Sequence, residues 1–304
     1  MKKNNEGGVW AVVVTYRPEL KKLGLLLDSL MQQVNGVVVV DNGSPESILA
    51  WLRAYQSSIS LELVPLGDNK GIAAAQNIGI KYAAQQHADY VILFDHDSQP
   101  ECDMVGKLKA VAEAKLAAGV DVAAVGPRYL DERQDNPPPF IQVRGLKVER
   151  QPCSCGDSVV EVDYLIASGC LIPMRALTSV GDMREDLFID YVDIEWGLRA
   201  KNKGFQSFGA CAASMSHDLG DEPFVFFGKT YPHHSALRHY YHFRNATWMY
   251  RQPWLPLHWK LADGWRLLLK YGFYTIFAKP RHLHWWMMTK GVWHGLSGRM
   301  GRLN

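Results

Sequence analysis

Tyr90-Val-Ile-Leu-Phe-Asp95-His96-Asp97-Ser98 is an apolar run of strand type that ends abruptly in two carboxylates one residue apart. In α/β proteins, ligands sit beyond the carboxyl ends of the strands. Two hard oxygen ligands placed there suit a divalent cation that also takes phosphate oxygens. Asp-x-Asp alone is a weak signal, because acidic pairs also end strands as solvated turn residues. The segments on either side carry the argument further.

Upstream, Val9 to Val14 and Val37 to Val40 are continuous apolar runs, as expected of strands covered on both faces. They end in Thr15-Tyr16-Arg17-Pro18 and Asp41-Asn42-Gly43-Ser44. Between them Leu20, Leu23, Leu27, Leu30 and Val34 fall at helical spacing. Ser44-Pro45 is a cap with proline at the first helical position, so a helix is expected from about Pro45 to Gln56. A strand Leu61 to Pro65, a helix Gly71 to Gln86, a helix near Met104 to Ala118 and a strand Val122 to Val125 continue the alternation. This predicts an α/β fold whose first ~127 residues form a parallel sheet with helices on both faces.

The alternation then breaks. Tyr129 to Ser158 is polar and proline-rich and reads as a long loop or hairpin over the site. Val159 to Ile172 suggests two short strands bent at Ser168-Gly169. Glu195 to Lys203 is helical, closed by Gly204, and Ser207 to Met215 is expected as the last strand. From Leu237 onward the pattern is helical.

The 304 residues suffice for a large core, and the net charge of +2 gives no expectation of a nucleic-acid partner. The charge is uneven. Gln252 to Asn304 holds eight Lys/Arg and one acid, Asp263, and is therefore about +7. Trp248, Trp254, Trp259, Trp265, Trp285, Trp286 and Trp293 crowd the same region. Trp favours the lipid headgroup level, and each basic residue near an anionic surface contributes ~1 kcal/mol. The run Trp265 to Phe277 is too short to span and suits a helix lying in the interface. Peripheral contact with an anionic inner membrane is the expectation, against packing on the preceding domain or an oligomer contact. Five cysteines without regular spacing argue against a disulfide framework and for reduced thiols in the cytosol. Cys153-Ser-Cys155 is a possible soft-metal fragment without a second pair. No signal peptide and no membrane-spanning stretch are read.

Candidate chemistry gathers at the strand ends. Asp41 either caps its turn or accepts bonds from a ribose or base. Small residues at Gly71, Ala74 and Ala75 let a helix N-terminus approach an anion. Phe188-Ile-Asp190-Tyr191-Val-Asp193-Ile-Glu195-Trp196 sets three acids among apolar residues, as in a tuned general base. A dinucleotide-dependent oxidoreductase would need a glycine fingerprint after the first strand, where Thr15-Tyr16-Arg17-Pro18 stands instead.

Val14-Thr15-Tyr16, Val40 to Ser44, Asn69-Lys70-Gly71-Ile72-Ala73 with Asn77 and Gly79, Leu93 to Ser98, and Asp193 to Arg199 stand in one order. Together they resemble glycosyltransferase family 2, the inverting GT-A enzymes, over roughly residues 9 to 250. Phe-Asp-x-Asp-Ser, Phe-Ile-Asp-Tyr-Val-Asp-Ile-Glu-Trp and Arg238 to Asn245 resemble its bacterial rhamnosyltransferases in particular. The resemblance implies a GT-A domain over 1–250, with a nucleotide half (9–127) and an acceptor half (128–250), followed by a helical segment 251–304. It implies transfer of L-rhamnose from dTDP-L-rhamnose to a lipopolysaccharide core or O-antigen acceptor. A UDP-hexose donor and a non-catalytic sugar-nucleotide binder are the alternatives. It further implies Thr15, Tyr16 and Asp41 around the base, with Asn69, Gly71 and Asn77 lining the donor site. Asp95 would meet the ribose or sugar, Asp97 and His217 would hold Mg²⁺ or Mn²⁺, and Arg238, Arg244 and Asn245 would approach the diphosphate or acceptor. Asp193 matches the catalytic base, with Asp190 as the competing acid. The usual middle residue of the Asp-x-Asp is glutamine; here it is His96.

Overall fold

The computed structural model describes residues 8–130, 140–153, 156, 158–217, 221–226 and 229–303. The chain opens with β1 (Val9–Thr15), α1 (Leu20–Leu30), β2 (Gly36–Asp41), α2 (Glu46–Ala54), β3 (Ser60–Pro65), α3 (Ile72–Gln85) and β4 (Tyr90–Asp95). It continues with β5 (Ser98–Pro100), α4 (Met104–Ala117), β6 (Val122–Leu130), β7 (Phe140–Arg144), β8 (Lys147–Gln151), β9 (Val159–Val162), β10 (Leu171–Pro173) and α5 (Met174–Val180). A 3-10 turn at Glu185–Leu187 precedes α6 (Val192–Asn202), β11 (Gln206–His217), β12 (Asp221–Phe226) and β13 (Lys229–His233). Three helices follow: α7 (Ala236–Tyr250), α8 (Leu257–Phe277) and α9 (Arg281–Ser297).

The nine-stranded central sheet runs β3-β2-β1-β4-β10-β6-β11-β5, with β9 on β11. All seven residues of β1 are buried. Alternation along the pleat sends Trp10, Val12 and Val14 to one face and Val9, Ala11 and Val13 to the other. The first face packs against α3, α6 and α7, and the second against α1 and α4. This is why the strand reads as an unbroken apolar run.

The four strands β3, β2, β1 and β4 pair in parallel, as expected. The parallel order does not extend to β6. Antiparallel β10 is inserted between β4 and β6, and β11 then pairs with β6 in parallel. A three-residue apolar strand such as Leu171–Pro173 carries too little pattern to reveal its partners. The expected hairpin exists as β7 and β8, and residues 131–139 of the expected loop lie outside the described residues. Ser207–Met215 is not the last strand, since β12 and β13 form a further antiparallel hairpin.

Cys153 and Cys211 form a disulfide, with Cα atoms 5.6 Å apart. This corrects the expectation of reduced thiols throughout. The pairing of β9 with β11 brings together cysteines that lie 58 residues apart in sequence. The soft-metal reading of Cys153 falls with it, and Cys155 is outside the described residues. Cys102 and Cys170 are free.

Residues beyond 250 continue the same core. Leu255, Trp259, Leu267, Tyr274 and Met288 join the cluster that covers the Trp10 face of the sheet. Helix α9 lies backbone to backbone on α7. A Cβ at Gly291 would fall 2.4 Å from the Tyr240 carbonyl oxygen, and one at Gly295 would fall 2.5 Å from that of Arg244. Among the described residues no helix is long and apolar enough to cross a membrane.

Candidate active site

Strand β1 lies between β2 and β4, so their carboxyl ends open side by side. Thr15 is in register with Asp41, and Val14 with Asp95. The Thr15 hydroxyl donates to Asp41 Oδ2 at 2.8 Å. Asp41 Oδ1 accepts from the Gly43 and Ser44 amides at 3.1 and 2.8 Å. Of the two readings of Asp41, the structure realises turn capping: the carboxylate is 1% exposed and already accepts three bonds. Tyr16 stands exposed beside it, under the guanidinium of Arg17.

The next loop is tied to this one. Asn42 accepts from the Lys70 amide at 2.8 Å and donates to Asn69, which accepts from the Gly71 amide at 2.9 Å. Gly71 has φ +92°, and a Cβ there would meet the Phe188 carbonyl oxygen at 2.6 Å. Only glycine lets α3 start this close to the loop that carries the acids. Asn69 and Gly71 therefore line the crevice as builders of its wall. Asn77 does not face it. Its amide donates to the Met183 carbonyl and to Glu185, both at 2.9 Å, and accepts from the Met183 amide at 2.8 Å. The expectation that Asn77 lines the donor site gives way to a buried clamp on the 183–185 segment. That clamp also explains why a helix holds at Asn77 despite poor propensity.

Asp95 and Asp97 flank the end of β4 where the chain turns into β5. The Asp95 amide donates to Ser168 Oγ at 3.2 Å, and the Ser98 and Ser168 hydroxyls lie 2.6 Å apart, both buried. His217 is the register partner of Ser98 on β11, so its backbone stands next to the end of the Asp-x-Asp. Among the described residues no three His, Cys, Asp or Glu side chains gather as a metal cluster. The donor set that the backbone brings together is two carboxylates and one imidazole-bearing residue. That suits a cation which draws its other ligands from a diphosphate, as Mg²⁺ commonly does.

Among the described residues, three of the five non-glycine residues with positive φ lie in the acid segment. Phe188, Asp190 and Tyr191 all have positive φ, at 65°, 61° and 64°. Side chains of this size rarely adopt that region, and such strain persists only where surroundings impose it. Here α7 imposes it. Asn245 Nδ2 donates to the carbonyls of Leu187, Ile189 and Asp190 at 2.9, 2.8 and 2.8 Å. Arg244, fully buried, donates to those of Asp186 and Leu187 at 3.1 and 2.8 Å and to that of Gly301. Arg244 and Asn245 were expected at the diphosphate or acceptor. The structure instead has them holding the loop that presents Asp190. Asn245→Ala would strand the Ile189 and Asp190 carbonyls, while that of Leu187 keeps Arg244, and is expected to destabilise the fold by on the order of 2–3 kcal/mol. Turnover should fall with it. Unchanged melting and turnover would mean that the loop keeps its shape without α7.

Helix α6 begins at Val192, three residues before the expected Glu195, so Asp193 sits in its first turn. Asp193 lines a cavity of about 20 Å³ with Gln76, Cys170 and Trp196. Burial pushes its carboxyl up to about 6; the Ile194 amide opposes this and the nearby Asp190 charge adds to it. Asp190 is instead paired with Arg238, whose Nε and Nη2 lie 3.3 Å from Oδ1. The two acids thus differ in kind: one is ion-paired, and the other is desolvated.

In the sequence Asp263 stands out only as the lone acid of a basic segment. It accepts from Tyr191 Oη at 2.9 Å and Tyr250 Oη at 2.6 Å, joining α8 to the acid loop. Ser168, read only as a bend, ties the end of β4 to β5. The signal for Asp263 was its isolation among eight cations; for Ser168 there was none.

Known proteins resemble this arrangement. The profile of glycosyl transferase family 2 matches residues 11–160. The dTDP-rhamnosyl transferase RfbF of Shigella flexneri is 35% identical over 254 residues, 82% of each chain. The hyaluronan synthase of Pasteurella multocida is 28% identical over 171 residues, 52% of this chain and 17% of that protein. Among solved structures, S. aureus TarS 1–349 in complex with UDP-GlcNAc superposes with a TM-score of 0.60 at 16% identity, over 94% of this chain and 81% of that one. GalNAc-T7 with UDP, GalNAc and Mn²⁺ gives 0.56 at 12% identity, over 72% and 44%.

Proposed function

Because the chain belongs to glycosyl transferase family 2, we propose that it moves L-rhamnose from dTDP-L-rhamnose to a hydroxyl of a bacterial surface glycan, with inversion. The observation that carries the donor is the 35% identity to a dTDP-rhamnosyl transferase over 82% of both chains. The observation that carries the chemistry is the Asp193 carboxyl in the first turn of α6, lining a cavity with Gln76, Cys170 and Trp196 and desolvated there.

In this reading the diphosphate lies over the ends of β1, β2 and β4, with the base beside Thr15, Tyr16 and Asp41. Since Asp41 already accepts three bonds, its part is to shape the base loop, with Oδ2 as the side still able to accept a base N–H. Asp193 takes the proton from the acceptor hydroxyl as its oxygen attacks the anomeric carbon opposite the nucleotide. Arg238 holds the Asp190 carboxylate in place, so that Asp190 orients the acceptor while Asp193 accepts its proton. A Mg²⁺ or Mn²⁺ ion held by Asp97 and His217 would supply positive charge to the departing diphosphate.

A panel of purified nucleotide sugars, read by mass detection of released nucleotide, tests the donor. Turnover is expected with dTDP-L-rhamnose. Turnover confined to UDP-hexoses would overturn the donor and leave the family standing.

A further inference from the structure

The transferase reading gives the outward faces of α8 and α9 no task, and those faces are the wrong kind for water. On α8, Trp259, Leu267 and Tyr274 point into the core. The opposite side carries Leu257, Leu261, Trp265, Leu268 and Ile276, each at least 53% exposed. Their spacing of four, four, three and eight residues draws one stripe along the helix. On α9, His284, Met288, Gly291 and Gly295 are buried, and Trp286, Trp293 and Leu296 are exposed by 54% or more. A surface helix normally turns a polar face outward, and a helix apolar on both sides has something on each. Large exposed apolar patches mark interaction sites.

The charges say what covers it. Asp263 is the one acid from Gln252 to Asn304, and it faces inward on Tyr191 and Tyr250. Lys279, Arg281 and Arg299 are exposed at the ends of α8 and α9. A two-fold interface sets a patch against itself, which here would bring cation against cation with no acid of the segment between them. An anionic lipid surface meets both requirements: acyl boundary for the stripes, headgroups for Trp and for the cations.

The geometry points to the α8–α9 face as a docking surface for an anionic phospholipid bilayer. It lies in the plane of the interface with Trp265, Trp286 and Trp293 at headgroup depth. Docking has a consequence for the site. The inner side of α8 holds Tyr191, between Asp190 and Asp193, through Asp263. The lipid plane therefore lies about one helix diameter, ~10 Å, from the acid loop. That places a glycan built on a membrane anchor within reach of the acids and selects lipid-anchored acceptors over free oligosaccharides.

The test is flotation of the full chain with phosphatidylcholine vesicles, with and without phosphatidylglycerol, at low and physiological salt. The protein should float with the anionic vesicles only. Trp286→Ser/Trp293→Ser and Lys279→Gln/Arg299→Gln should each reduce the bound fraction about tenfold. Both variants should keep the melting temperature and the hydrolysis of donor in the absence of acceptor, since none of these residues touches the crevice. Three outcomes overturn the proposal: soluble wild-type protein with anionic vesicles at both salts, flotation that ignores both variants, or a dimer by light scattering that the Trp variant dissociates. None of the three bears on the donor, and a failed donor panel leaves flotation untouched.

Discussion

Asp193→Asn is expected to lower turnover by about 10²-fold or more while leaving nucleotide binding intact. Asparagine keeps the shape and the bond from the Ile194 amide but cannot take a proton. The choice of Asp193 over Asp190 is physical. A base works best with its protonation midpoint near the working pH, and burial brings Asp193 up from 3.8 to about 6. Asp190 is committed to Arg238. Wild-type turnover should therefore fall as pH drops through about 6, where Asp193 takes up its proton. The same shift makes a stability prediction with a definite sign. A carboxyl whose folded value lies above its unfolded value favours the folded state when protonated and disfavours it when charged. The penalty is full above about 6 and gone below the unfolded value near 4. Asp193→Asn should thus be more stable than wild type by about 1–2 kcal/mol at pH 8 and no more stable at pH below ~4. A purely structural Asp193 would give the opposite result at pH 8. If Asp190→Asn proves to be the variant that binds and does not turn over, the base has been misassigned.

How far the chain is legible without coordinates depends on where its information lies. Strands β1, β2 and β4 are buried on both faces, so their composition announces them, and the polar residues that end them mark one edge of the sheet. Antiparallel β10 is invisible because three apolar residues fit any partner. The motif positions of Asn77, Arg244 and Asn245 are recognisable, but their partners are not. Each binds main-chain carbonyls some 55 to 106 residues away, and a backbone oxygen leaves no mark on the sequence. The strained run from Phe188 to Tyr191 is hidden for a related reason: Phe, Asp and Tyr favour no such conformation, and α7 imposes it. The start of α6 moves from Glu195 to Val192 because a left-handed Tyr191, rather than a capping side chain, begins the helix. The disulfide is a product of the β9–β11 pairing, which spacing alone does not announce.

Asp97→Ala is expected to remove nearly all transfer, at least ~10³-fold, with the fold unchanged. The residue stands in the two-residue turn between β4 and β5, outside the residues of either strand. What it offers is hard anionic oxygen at the point where the diphosphate would lie, with the His217 backbone brought alongside by the pairing of β11 with β5. Loss of that oxygen leaves a doubly charged leaving group without its counter-charge, a defect that acceptor concentration cannot repair. The variant should still melt as wild type does. Calorimetry separates this role from simple steric damage. Wild-type protein should bind dTDP more tightly with Mg²⁺ or Mn²⁺ than in excess chelator, and Asp97→Ala should bind it equally weakly in both. Wild-type transfer should stop in EDTA and return when either cation is added back. Full activity in EDTA, or a metal-dependent gain in dTDP affinity that survives Asp97→Ala, would refute the role assigned to this carboxylate. Asp97→Glu keeps the charge and lengthens the arm. Partial recovery there would place the requirement on the carboxylate itself rather than on the volume of the turn.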